Sequence, residues 1–309
     1  SVALPEMRKR NYDPRLATGC VAAGGTLGIL IPPSTGFIVY ALLTEESIGR
    51  LFLAGFFPGL LLTALFVVTI WLVTWFRPEM GPSVPKASLA ERFGALRQVG
   101  SLLSIVVVVL GGIYVGVFTP TEAAAIGALL TLLLGIWRRR FTPANFFEAL
   151  LQTTRTTAFV FLILIGAHIF SPFLAVSQVP STISSFISHL EVPREAVLAL
   201  LILLYIVLGT FLEGFAMLVL TLPIVFPVIV DLHYDPVWFG VVIVIVLEMG
   251  LISPPVGINV FVVKGFAEDV PMAKIFAGIL PFWGAMLVCL LLLVLFPQIA
   301  LFLPNTMIR

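Results

Sequence analysis

Two stretches of the chain carry residue types at spacings that could do chemistry. The first reads Ala22-Ala23-Gly24-Gly25-Thr26-Leu27-Gly28-Ile29-Leu30-Ile31-Pro32-Pro33-Ser34, and the second Glu248-Met249-Gly250-Leu251-Ile252-Ser253-Pro254-Pro255-Val256-Gly257-Ile258-Asn259. Each sets a proline pair behind glycines in an apolar run. A proline pair removes two N–H donors and clashes with the preceding turn, and glycine lets the backbone turn where other residues cannot. The carbonyls released in this way point off the helix axis. A cation held by several carbonyl and hydroxyl oxygens satisfies them, and half-helix N-termini at the same place favour an anion. One such break reads as a proline kink. Two matched breaks, each with a polar residue beside it, read as a binding site.

Catalytic chemistry finds little support. There is no HExxH, and no GxSxG with a partner histidine. All four aspartates (Asp13, Asp231, Asp235, Asp269) fall in expected loops, so no intramembrane aspartate pair forms. Cys20 and Cys289 lie apart in apolar runs without a CxxC, which leaves disulfide and metal frameworks without basis. His168 has no second ligand at metal spacing and reads as a structural histidine. A channel, the other rival, usually needs a symmetric ring of pore-lining groups.

The elements that must position the two breaks lie in lipid. Residues of the set AVILMFWYC make up 60% of 309 and charged residues 11%, against roughly 45–50% apolar and about 25% charged in soluble domains. The mean hydropathy is +1.14. A net charge of +1 gives no electrostatic case for nucleic acid. Apolar segments fall at 16–40, 51–76, 101–118, 120–137, 156–173, 196–212, 215–230, 237–263 and 275–296. The polar stretch 77–100 reads as a cytoplasmic linker or an amphipathic surface helix. Arg8, Lys9, Arg10 and Arg15, then Arg77, Lys86, Arg92 and Arg97, then Arg138, Arg139, Arg140 and Arg155 place three loops in the cytoplasm.

An internal repeat connects the two breaks. Tyr12-Asp13-Pro14 recurs 222 positions on as Tyr234-Asp235-Pro236, and at the same offset Gly28 meets Gly250 and Pro32-Pro33 meets Pro254-Pro255. Pro58 meets Pro281 at 223. Five crossings follow the first Tyr-Asp-Pro loop. The segments 196–212 and 215–230 then read as a hairpin that dips in and returns, with its turn at Gly209–Gly214. The second Tyr-Asp-Pro loop, free of Lys and Arg, lies outside. The fold class expected is therefore an all-α polytopic membrane protein with inverted repeats, broken transmembrane helices and a re-entrant helical hairpin. It forms one transport domain over 1–309, with repeat units around 1–60 and 196–285. The hairpin that would match 196–230 falls mostly before Ser1, so a preceding segment of several tens of residues is expected.

GGTLGILIPPS, SIGRLFLAGFFPG, GVFTPTEAAAIGALL and GLISPPVGINVFV resemble the large membrane subunit of tripartite ATP-independent periplasmic (TRAP) transporters, the DctM-like family, from Pro5 to about Pro281. The resemblance implies a secondary transporter of small organic anions in a bacterial or archaeal inner membrane. It implies sodium as coupling ion, an elevator-like motion, a small membrane subunit and a periplasmic solute-binding protein. A one-component carboxylate carrier needing no binding protein is the alternative. No cofactor is implied beyond the Na⁺. On this reading Gly24, Gly25, Thr26, Gly28, Gly209, Thr210, Ser253 and Gly257 offer oxygens to the cation. Ser34, Glu213 and Asn259 face substrate, and Pro32, Pro33, Pro254 and Pro255 break the helices. Glu122 reads as serving a helix N-terminus, while Glu248, a carboxylate inside an apolar run, receives no assignment.

Overall fold

A computed structural model describes residues 3–82, 88–139, 141–180, 182, 185 and 192–307, with the side chains of 95–98 and 175 outside that description. Ser1, Lys86, Arg140 and the Arg97 side chain therefore lie outside the described residues, as do positions 83–87 of the expected linker. Among the described residues there is no strand. The helices run α1 (Ala3–Lys9), α2 (Pro14–Leu30), α3 (Thr35–Thr44), α4 (Ile48–Phe76), α5 (Leu89–Tyr114), α6 (Pro120–Trp137) and α7 (Pro143–Ser177). They continue as α8 (Arg194–Gly209), α9 (Gly214–Asp231), α10 (Pro236–Ile252), α11 (Ile258–Phe266), α12 (Met272–Leu295) and α13 (Gln298–Thr306). Five of these helices are long and apolar enough to cross a membrane, and α2 with α3, bent by 41°, make a sixth span if taken together. The protein is an all-α polytopic membrane protein.

Local chemistry sets the ends. Asp13 caps α2 through Arg15 N at 2.8 Å, with Pro14 at the first helical position. Asp235 caps α10 in the same way through Val237 N at 2.8 Å. The Arg15 guanidinium, hydrogen-bonded to Asp13, holds that carboxyl below its ordinary range. Ser88 with Glu91, and Thr119 with Glu122, form reciprocal capping boxes. Glu122 thus serves its own helix turn. One expected boundary differs from the sequence reading: residues 89–100 of the run 77–100 belong to the helix that starts at Leu89 and continues unbroken to Tyr114. The runs 16–40 and 237–263 each split into two helices at the proline pairs, as their sequence leads one to expect.

The repeat is visible in the backbone. Asn11 and His233 both take positive φ, at 57° and 61°. Tyr12 N donates to Met7 O and Tyr234 N to Ile229 O, both at 3.1 Å. Each of these pairs is separated by the same 222 positions as the Tyr-Asp-Pro motifs. The following helices α4 and α12 carry Pro58 and Pro281 inside them.

Contacts at both ends show that the units run in opposite directions. Tyr40 Oη, at the far end of the first broken pair, donates to Pro236 O at the start of the second, at 2.7 Å. Arg8, before the first pair, meets Asp269, after the second, at 2.6 Å. The N-terminal end of α2 touches Gly278 of α12. The N-terminal end of α10 instead reaches Leu293 of α12, where Trp238 Nε1 donates to the carbonyl at 2.9 Å. Positions 278 and 293 are roughly 22 Å apart along a helix rising about 1.5 Å per residue. The two broken helices therefore start at opposite ends of α12.

Small residues permit this interlock. Lipid tails are as apolar as leucine, so helices gain from close packing and polar contacts instead of from leaving water. α10 is buried on every face from Val237 to Gly250 and forms the centre. By contrast, α6 buries Ala123 alone among its described residues. A Cβ on Gly278 would stand 2.0 Å from the Arg15 carbonyl oxygen, and one on Gly250 would stand 2.5 Å from the Gly209 carbonyl oxygen. Gly284, in the same helix as Gly278, has nothing within 4 Å of its Cβ position.

Gly278→Ala is expected to destabilise the protein by about 1–3 kcal/mol through overpacking, whereas Gly284→Ala leaves thermal unfolding in detergent unchanged or slightly raised. Equal melting of the two variants would contradict the packing described. Gly250→Ala should push the hairpin tip off α10. Spin labels at the exposed positions 211 and 256 should then report a longer or broader distance distribution than in the unsubstituted protein.

Candidate functional site

Three structures converge near the middle of the fold: the break between α2 and α3, the break between α10 and α11, and the α8–α9 turn. At each break the prolines decide which carbonyls lose their donors. In a helix the carbonyl of residue i is served by the N–H of i+4. Pro32 and Pro33 therefore strip Gly28 and Ile29, and Pro254 and Pro255 strip Gly250 and Leu251. Ser34 Oγ donates to Ile29 O, and Ser253 N donates to Gly250 O at 3.1 Å. The carbonyls of Gly28 and Leu251 receive no donor among the described residues. Both proline–proline peptides are cis.

The structure sorts the sequence candidates. Gly28 carries a freed carbonyl. Gly24, Gly25 and Thr26 do not, because α2 continues to Leu30 and their carbonyls remain within the helix. The break lies later than the glycine run because helix hydrogen bonding fails only where a donor is missing. Thr26 is buried and donates its hydroxyl to Ala23 O at 2.7 Å. Gly24, Gly25 and Gly28 instead line an exposed face of α2.

Ser34 is buried and caps α3, accepting from Phe37 N at 3.4 Å. Glu213 is exposed and caps α9, accepting from Ala216 N at 2.9 Å. Gly257 sits at φ +58°, a left-handed conformation that starts α11. Asn259 is half-buried, its Nδ2 lying 3.6 Å from the Cβ position of Gly25. It makes no hydrogen bond among the described residues. The first broken helix and the second break thus meet through Gly25 and Asn259.

The hairpin tip packs on the second break. Gly209, at the end of α8, lies against Gly250 with a Cβ-to-Cα approach of 3.3 Å. Beside that contact a cavity of about 570 Å³ is lined by Thr210, Ser253, Pro254, Phe276, Trp283 and other, mostly apolar, residues. Thr210 Oγ1 donates to Val207 O at 2.7 Å and Ser253 Oγ to Met249 O at 2.6 Å. A hydroxyl that donates its proton still has lone pairs to offer, so these bonds do not remove either oxygen as a cation ligand. Trp283 Nε1 donates to Ser253 Oγ at 2.9 Å. Sequence reasoning missed this tryptophan. Only the rule that a buried indole N–H seeks a partner could have drawn attention to it. The hairpin is tied across by Tyr205 Oη and Thr221 Oγ1 at 2.6 Å.

Glu248 lies 222 positions after Thr26 and is fully buried within α10. Neither of its carboxyl oxygens has a hydrogen-bond partner. His168 Nδ1 contacts Leu164 O at 2.9 Å in its own helix. No group of three or more His, Cys, Asp or Glu that could hold a metal occurs among the described residues.

Comparison with known proteins agrees with this architecture. The family model for the tripartite ATP-independent periplasmic transporter, DctM component, matches residues 1–299. The chain is 35% identical over 306 residues to the C4-dicarboxylate TRAP transporter large permease protein DctM of Pseudomonas aeruginosa, covering 99% of this chain and 71% of that one. It is 36% identical to the sialic acid TRAP transporter large permease protein SiaM of Vibrio cholerae, covering 98% and 70%. It is 32% identical to the ectoine TRAP transporter large permease protein TeaC of Halomonas elongata, covering 99% and 71%. Broken helices in opposed repeats, a helical hairpin packed on one break and a family match over almost the whole length lead to one conclusion: the chain belongs to the DctM component family of TRAP transporters, as a large permease subunit and not an enzyme.

Proposed function

We propose that this permease takes up small organic anions across the bacterial or archaeal inner membrane, driven by a sodium gradient. A periplasmic solute-binding protein delivers the substrate, and a small membrane subunit braces the permease. The carrying observation is the pair of main-chain oxygens left without donors, at Gly28 and Leu251, on two breaks that run in opposite directions. An orphaned carbonyl in a lipid-embedded protein costs several kcal/mol unless water, protein or an ion meets it. A cation at each break meets that need, and Thr210, Ser253 and Gly257 lie close enough in the fold to complete the second. On the first side the set narrows to Gly28 with neighbouring break oxygens. Gly24 and Gly25 then act by leaving a smooth helix face for the close approach of substrate or another main chain, while Thr26 is buried and bonded within its own helix.

The substrate class is an inference from three features. The relatives named above include carriers of C4-dicarboxylate and of sialic acid. The half-helices α3 and α11 begin beside the breaks, where their N-termini favour an anion. The cavity beside the second break carries no Lys or Arg among its lining residues, so the charge is met by backbone N–H groups and the Asn259 amide, with Ser34 contributing once its proton leaves the Ile29 carbonyl. Glu213 acts from the rim of the hairpin tip. Opposed repeats let one body move relative to the other around a fixed site, and an elevator-like displacement of the breaks with the hairpin fits that geometry.

Uptake of a labelled organic acid by the intact permease, reconstituted with its partner proteins, should collapse when the sodium gradient is removed and should ignore ATP. Uptake that follows ATP without any ion dependence would end the proposal. Replacing Pro254 and Pro255 together by Ala should lower uptake at least tenfold while membrane insertion stays within about twofold of the parent, since restored N–H donors can close the helix over the carbonyls of Gly250 and Leu251. Undiminished transport in that variant would remove the second break from the site.

A further inference from the structure

The first repeat holds Thr26 where the second holds Glu248, and the hydroxyl of Thr26 is satisfied within its own helix while the carboxyl of Glu248 is not. Both Glu248 oxygens are buried without a donor, in the helix at the centre of the fold. No ion pair among the described residues includes it. A buried carboxylate without a counter-charge is among the costliest groups a protein can hold, so such groups mark ion or substrate pathways.

Helix geometry says what Glu248 faces. Gly250 points at the hairpin tip, against Gly209. At about 100° per residue, a position two residues earlier lies roughly 200° away, on the opposite side of α10. Val244 is on that side, one turn before Glu248, and its Cγ2 lies 3.5 Å from the Cβ position of Gly36 in the first turn of α3. The first broken pair runs antiparallel to α10, with Tyr40 beside Pro236 and Gly36 beside Val244. One turn further along α10, at Glu248, the facing segment is therefore residues 31–34. Glu248 thus lies on the side of α10 that is turned toward the break of the other repeat.

We propose that Glu248 is the anionic ligand of a monovalent-cation site at the first break, shared with main-chain oxygens of that break. Charge balance selects the valence. One carboxylate with neutral carbonyls cancels a single positive charge, whereas a divalent ion would leave a buried net charge. No group of three or more His, Cys, Asp or Glu, of the kind that holds a divalent metal, occurs among the described residues. The site links the two repeats directly, so its occupancy bears on both units at once. This inference rests on the cation-coupled reading above.

The test uses the intact permease, purified in detergent, with thermal unfolding followed by tryptophan fluorescence. NaCl is titrated against choline chloride at constant ionic strength, and sodium-dependent uptake is measured on the same preparations. Glu248→Gln keeps shape and removes the charge. In the unsubstituted protein sodium should raise the melting temperature. In the Gln variant the sodium concentration for half the effect should rise at least tenfold, while its melting temperature in choline is no lower than the parent's. Glu248→Asp should recover part of the sodium response. If uptake depends on sodium but the Gln variant responds at the parent's sodium concentration, Glu248 is not a ligand and the coupled reading survives. A parent that answers to pH with no response to sodium also overturns the site. If parent uptake ignores sodium as well, the coupled reading fails with it.

Discussion

A main-chain carbonyl inside a bilayer has no water to bond, and the fold of this permease is arranged around the few that the helices cannot serve. Four prolines create the problem in two places, by withholding donors from Gly28 and Ile29 and from Gly250 and Leu251. Two of the four carbonyls are rescued nearby, by the Ser34 hydroxyl and the Ser253 amide. The other two, at Gly28 and Leu251, receive no donor among the described residues. An ordinary helical bundle would select against such sites. Here the proline breaks recur 222 positions apart in two copies of the same unit, with the free carbonyl at Gly28 in one and at Leu251, the counterpart of Ile29, in the other.

Holding two breaks together in the middle of a membrane protein requires close approach of backbones. The glycines at 209, 250 and 278 provide it: a methyl group on Gly250 or Gly278 would collide with a main-chain oxygen, and one on Gly209 would press against the Gly250 Cα at 3.3 Å. Their cost in helix propensity, about 0.5–1 kcal/mol each, is offset by contacts that no larger residue could make. A few polar contacts fix the register across the repeats: Tyr40 with Pro236, Trp238 with Leu293, and Arg8 with Asp269. Through them the position of one break follows from the position of the other.

The polar residues around the breaks have structural duties that fit a role in binding. Ser34 and Glu213 cap helices, and Ser253 closes its own helix while accepting from Trp283. A ligand that takes their remaining lone pairs changes the ends of α3, α9 and α10, so binding and helix geometry are coupled at the same atoms. Glu248 is the exception. It is fully buried without any duty in the helix network, whereas the other buried polar side chains near the breaks, Thr26, Ser34 and Ser253, are all hydrogen-bonded.

The sequence alone determined the membrane setting, the two breaks and the opposed repeats, because each depends on local chemistry written at fixed positions. Proline withholds a donor wherever it stands, Tyr-Asp-Pro caps a helix in either copy, and charge sorts loops between the two sides. It also marked Gly28, Ser253 and Asn259 as neighbours of the breaks. Tertiary structure decided which of the marked atoms are free. Gly24, Gly25 and Thr26 kept their helical bonds because the chain stays regular until a donor is lost, a point that residue type cannot convey. Residues 89–100 joined α5 because a capping box at Ser88 and Glu91 starts the helix ahead of its apolar part. The contact of Trp283 with Ser253 and the unpartnered burial of Glu248 were not legible from the sequence, since both depend on which segments far apart in the chain pack together, and a one-dimensional pattern carries no record of which helix faces which.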